Sequence, residues 1–180
     1  MDWSEAIFDV INVRSFSSLW YWIAVAVLWS SLSHWVLGVP FDLISRARRR
    51  GGDAEQDLID VVRVNVNRLL SIMDSSAAWL IGIVCFIVTS LLVMGVYYRI
   101  EFAQAVLFMV VPLCVVGALC VWSARRIQNQ AEDVQMLFKM LATHRLWTQL
   151  IGMVSIFLTA LYGMYHNLDV LRQNLTVPPF

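Results

Sequence analysis

A chain of 180 residues is long enough for one compact unit and too short for two sizeable domains. Hydrophobic residues make up 59% of it and charged residues only 14%, against roughly 25% charged in a soluble domain, which excludes an ordinary water-soluble globule. The 13 basic and 13 acidic residues cancel, so no net field draws the chain to nucleic acid, and a nucleic-acid partner is not expected.

Residues 1–15 read as an amphipathic helix on the outer face of the membrane, with a disordered tail as the alternative. Trp3, Ile7, Val10 and Ile11 share one face, with Asp2, Glu5 and Asp9 elsewhere. Four apolar runs follow, at about residues 16–39, 77–98, 102–122 and 146–165. Each approaches the roughly 20 residues that a helix needs to cross a bilayer. None contains Lys, Arg, Asp or Glu, each of which would cost about 2.5–3.5 kcal/mol at mid-membrane. The acidic leader before the first run, and the arginines after it, predict a retained anchor rather than a cleaved signal. The expected fold is therefore all-α: a four-transmembrane-helix bundle, one membrane domain over 1–180, with an N-terminal interfacial helix and two cytoplasmic helical excursions.

Basic residues set the orientation. Arg46, Arg48, Arg49, Arg50, Arg63 and Arg68 lie between the first two runs, and Arg125, Arg126, Lys139 and Arg145 between the last two. Arg14, Arg99 and Arg172 remain for the other side. The positive-inside rule then places loops 40–76 and 123–145 in the cytoplasm and both termini outside. The short link around Arg99–Glu101 makes the second and third runs an antiparallel hairpin.

Within the first loop, Pro40 is expected to stop the preceding helix, and Gly51-Gly52 to break the chain after the arginine cluster. Asp53 is expected to cap a helix running to about Met73, with Gln56 completing a capping box. Leu58, Ile59, Val62, Val66, Leu69, Leu70 and Met73 recur at helical spacing. Residues 62–67 also alternate as a strand would, and the longer pattern favours helix. That helix can pack on the bundle, lie on the inner leaflet or hold a partner; the cluster Arg46, Arg48, Arg49 and Arg50 can set topology alone or meet acidic lipid. In the second loop, Val134, Leu137, Phe138 and Leu141 share a face, so the last span is expected to begin near Glu132 as one long helix.

Polar residues inside the runs are where sites are sought. Thr148, Gly152, Ser155, Thr159 and Gly163 lie on one face of the fourth run, a helix-association face turned either to the bundle or to a partner. Ser30, Ser31, Ser33 and His34 cluster near the inner end of the first run, with His144 at the same depth. His34 and His144 can be read as haem ligands, as a proton relay, or as interfacial residues bonded to hydroxyls. Gln104 and Pro112 are weaker candidates. Cys85, Cys114 and Cys120 are odd in number, lie in apolar runs and lack metal-site spacing, so they read as small buried hydrophobes. No catalytic set, metal site or phosphate loop is visible, so no enzyme activity and no cofactor are expected. Asn174-Leu175-Thr176 fits a glycosylation sequon.

The stretch Arg14-Ser15-Phe16 through Leu19-Trp20-Tyr21-Trp22 to Ser33-His34-Trp35-Val36-Leu37-Gly38-Val39-Pro40 resembles a family of small alphaproteobacterial (Rhodobacterales-type) integral membrane proteins. Val64-Asn65-Val66-Asn67-Arg68-Leu69-Leu70, Glu101-Phe102-Ala103-Gln104-Ala105-Val106 and Ile151-Gly152-Met153-Val154 with Thr159-Ala160-Leu161 are similar as well. The resemblance spans nearly the whole chain. The family is labelled a component of the iron–sulfur (Suf) assembly complex, which implies a bacterial inner membrane. The three scattered cysteines offer no set to hold a cluster. Two functions are expected: an accessory, scaffolding or assembly subunit of a larger membrane complex, or a small homo-oligomeric channel or transporter. Its partners would be the lipid bilayer and other membrane subunits or itself.

Overall fold

A computed structural model describes residues 19–130 and 133–176, with side chains as far as residue 168. The predicted N-terminal helix lies outside the described residues, as do the side chains of Arg172 and Asn174. The described chain is helical apart from one small hairpin. Its elements are α1 (Leu19–His34), β1 (Trp35–Val36), β2 (Val39–Pro40), α2 (Phe41–Arg50), α3 (Asp53–Leu92), a π turn (Val93–Tyr97), α4 (Glu101–Gln130) and α5 (Val134–Thr176). Among the described residues three stretches, Asp53–Tyr97, Glu101–Gln130 and Val134–Leu168, are long and apolar enough to cross a membrane.

The first apolar run does not stay helical to Val39 as expected. It stops at His34, and Trp35↔Pro40 and Val36↔Val39 pair as an antiparallel ladder. The two residues between them, Leu37 (φ 52°) and Gly38 (φ 76°), both take the left-handed conformation that a tight hairpin of the native twist demands. Asn65 Nδ2 of α3 donates to the Gly38 carbonyl at 3.1 Å. A methyl group at Gly38 would lie 3.3 Å from that same Nδ2, so glycine is favoured by both its φ and its neighbour. Pro40 then stands immediately before α2, extended at ψ 135°.

Gly51-Gly52 breaks the chain as expected. Both residues have positive φ, and the Gly51 amide closes α2 on the Ala47 carbonyl at 2.9 Å. The capping box does not form. Gly52 is the cap and Asp53 the first helical residue, without a side-chain bond; Gln56 Nε2 donates forward to Asp60 at 3.4 Å. The Glu55 and Gln56 amides close on the Gly52 carbonyl instead, which satisfies donors a carboxylate would otherwise have taken.

Helix, not strand, holds at residues 62–67, within α3. The helix does not end near Met73 but runs on through the second apolar run without a break. Likewise α4 continues to Gln130 and α5 begins at Val134, so most of the second loop is helical. The two helical excursions are therefore extensions of the long helices, joined by α2 and the hairpin.

The main core sits in these extensions, which with α2 and the hairpin form a small platform. Val36, Val39, Ile44, Ala47, Leu58, Val62, Val66, Leu70, Ala124, Ile127, Leu137 and Leu141 are buried together. On α3 the steps of four from Leu58 to Leu70 aim one stripe inward. Each such side chain contributes about 1.5–3 kcal/mol when removed from water. A smaller cluster of Val25, Trp29 and Val116 joins α1 to α4 and α5, with Ile151 against it.

Candidate functional site

The face Thr148, Gly152, Ser155, Thr159 and Gly163 is buried within the chain. Gly152 seats the Trp29 ring of α1: a methyl group there would lie 2.6 Å from Trp29 Cε3. Thr148 and Thr159 bond back to the carbonyls of His144 (3.1 Å) and Ser155 (2.8 Å), the usual recourse of a hydroxyl inside a helix. Thr159 also meets the Tyr21 hydroxyl, which itself donates to the Ala105 carbonyl at 3.2 Å. Ser155 crosses between helices and donates to the Phe108 carbonyl at 3.4 Å. That carbonyl lies four residues before Pro112, which has no amide to offer it. Pro112 and Ser155, separate oddities in the sequence, are thus one hydrogen-bonding unit.

The two histidines have different surroundings. His34 is exposed, edge-on to Trp35 with ring centroids 6.1 Å apart. His144 is buried, its Nδ1 2.9 Å from Ser123 Oγ and its Nε2 3.7 Å from Cys120 Sγ. Both ring nitrogens of His144 are thus engaged within the chain, and these contacts link α4 to α5. Among the described residues no cluster of three or more metal-ligating side chains occurs.

A second polar cluster, not foreseen as a unit, lies at the opposite end of the same helices. Gln104 Nε2 donates to the Gly95 carbonyl in the π turn at 2.8 Å, and its Oε1 accepts from Tyr162 at 2.9 Å. Glu101 is buried, with one oxygen 3.9 Å from His166 Nδ1. Gly95 permits this approach, since a methyl group would lie 3.2 Å from Gln104 Cγ. Gln104 thereby bonds a backbone carbonyl where the helix ends, across the link to α4. Glu101, which the sequence places in the short link between the second and third runs, is part of the interior.

Of the arginine cluster, Arg46, Arg48, Arg49 and Arg50 are all exposed on α2, whose Ile44 and Ala47 face the core. Arg145 instead turns inward, with its guanidinium carbon 3.5 Å from the centre of the Phe41 ring. This cation–π contact ties α5 to the start of α2.

Among the described long apolar helices, with 11% of the most apolar window buried in α4 and 28% in α5, the least buried is the one through α3, at 6%. Ser75, Ala78, Gly82, Cys85 and Thr89 run along it in steps of three and four, and all are exposed. A methyl group at Gly82 would meet nothing within 4 Å. Bulky Trp79 and Phe86, 79% and 74% exposed, flank the stripe. The same spacing rule that picked out the fourth run also finds this stripe, and burial distinguishes the two. No protein-family model matches the chain, and neither the curated proteins nor the solved structures contain a match.

Proposed function

We propose that this chain is a non-catalytic accessory or assembly subunit of an inner-membrane complex, anchored by four spans with both termini outside and joined to its partner through α3. The uncovered small-residue stripe Ser75–Ala78–Gly82–Cys85–Thr89 carries the reading. In lipid, helices associate by close backbone approach and short interhelical bonds rather than by escape from water, and small residues at this spacing permit both. The comparable face of α5 is already spent on Trp29 and on Phe108. α1 supplies the fourth span: its 16 described helical residues rise about 24 Å, and the apolar run extends to Phe16. The basic residues of α2 and of the helix extensions hold that end in the cytoplasm. The resemblance to small alphaproteobacterial membrane proteins agrees with this role.

Gly82→Leu provides the test, because open space around Gly82 leaves the chain's own packing unaffected. Purification from native expression in mild detergent should recover a stoichiometric membrane partner with the parent chain and lose it with Gly82→Leu. Oxidative cross-linking through Cys85, with Cys114 and Cys120 replaced by serine, identifies a second copy if that partner is the chain itself. A lone species from parent and variant alike, without a Cys85 cross-link, sinks the proposal.

A further inference from the structure

We infer that the groove between α4 and α5 binds one anionic phospholipid, its phosphate at Arg126 and Lys139 and one acyl chain running outward along the helices. Two adjoining cavities make up this groove. The one nearer the platform, about 200 Å³, is lined by Trp122, Ser123, Arg126, Lys139, His144 and Trp147 among others. Among the described residues no carboxylate lines it, so Arg126 and Lys139 share the cavity wall with neutral and apolar side chains there. The second, about 500 Å³, is walled by Leu107, Val111, Pro112, Val154 and Leu158 and shares Trp147 with the first.

The two are one channel because their residues continue the same helix faces. On α4 the lining passes through Phe108, Val111, Val115, Leu119, Trp122 and Arg126, in steps of three and four. From Leu119 to Leu107 the helix rises about 18 Å, close to half of the roughly 30 Å hydrocarbon thickness. An apolar trough one leaflet deep, with positive charge only at its mouth, is complementary to a lipid carrying a negative headgroup. Two further features place the mouth at headgroup level. Trp122 and Trp147 are both more than half exposed there, as amphipathic rings at a membrane interface are. Arg126 is held in position, with Nε donating to Gln130 at 3.1 Å and its guanidinium 5.4 Å from the Trp122 ring.

The inference rests on the membrane placement proposed above but not on the partner, and its test uses the purified full chain alone. Native mass spectrometry in detergent would compare dioleoyl phosphatidylglycerol, dioleoyl phosphatidylcholine and inorganic phosphate. One phosphatidylglycerol per chain is expected, on the order of tenfold preferred over phosphatidylcholine, as two cations near an anionic headgroup supply. Arg126→Gln with Lys139→Gln, both exposed positions, should abolish the preference and leave phosphatidylcholine binding unchanged. Val154→Trp, filling the trough, should reduce both lipid adducts. Replacing Arg48, Arg49 and Arg50 by Gln should leave the preference intact. Equal adducts of the two lipids, persistence of the preference in the Arg126/Lys139 variant, its loss in the α2 variant, or phosphate binding as well as the lipid would each overturn the inference.

Discussion

Pro112 has no amide to offer the Phe108 carbonyl four residues before it, and Ser155 donates to that carbonyl from the next helix. The pairing makes a sharp prediction. Ser155→Ala should destabilise the chain by about 0.6–2 kcal/mol, the range for hydrogen bonds between membrane helices, measured by denaturant titration in detergent. In a Pro112→Ala background the backbone amide returns, and the same Ser155→Ala change should cost almost nothing; an equal cost in both backgrounds would disprove the link. Both residues stand out in the sequence. Their partnership does not, because it depends on the register between α4 and α5, and no spacing within one helix encodes that. The same holds for His144, whose partner Ser123 lies on another helix. Gly38 is the converse case. A glycine before Val-Pro is a readable turn signal, yet that the turn is a left-handed pair pinned by Asn65 follows only once α3 is in place.

At the scale of elements, the apolar runs and their helical character were plain from composition, while their ends were not. α3 shows why. Its first half is amphipathic and its second uniformly apolar, so the hydrophobic pattern changes near Asp74 as though one element stopped there. The backbone has no reason to stop: residues 53–81 contain neither glycine nor proline. A change of surroundings was mistaken for a change of structure. The end of α1 is hidden in the opposite way, since Val36, Leu37 and Val39 are apolar yet leave the helix to enter the platform core. Two glycines with similar sequence surroundings now separate by their neighbours. Gly152→Val should cost about 1–3 kcal/mol through overpacking against Trp29, whereas Gly82→Val should leave the isolated chain within about 0.5 kcal/mol of the parent. Thermal unfolding of the two variants in one detergent distinguishes them, and equal losses would mean that the α1–α5 contact is not the one described.

For the whole molecule, burial is concentrated in the platform beyond the long apolar stretches of α3 and α4, because only there does contact with water drive apolar side chains together. Leu58, fully buried, should cost about 2–5 kcal/mol when replaced by alanine. Phe86→Ala, on the uncovered face of α3, should change stability by no more than about 0.5 kcal/mol. Denaturant unfolding followed by circular dichroism reads both, and a larger loss at Phe86 would show that α3 packs on the rest of the chain more closely than described. The multi-pass character was legible because it depends only on one-dimensional apolar runs; the platform is assembled from four separated segments and was legible only in fragments.

From Asp53 to Tyr97 the chain runs helical over 45 residues, a rod of about 68 Å fixed at one end where Leu58, Val62, Val66 and Leu70 pack into the main core and largely bare along the other. Such a rod cannot turn in one half without turning in the other. A neighbour that grips Gly82 therefore holds a handle, and any torque it applies within the bilayer arrives at Leu58 and the arginine-bearing α2 packed beside it.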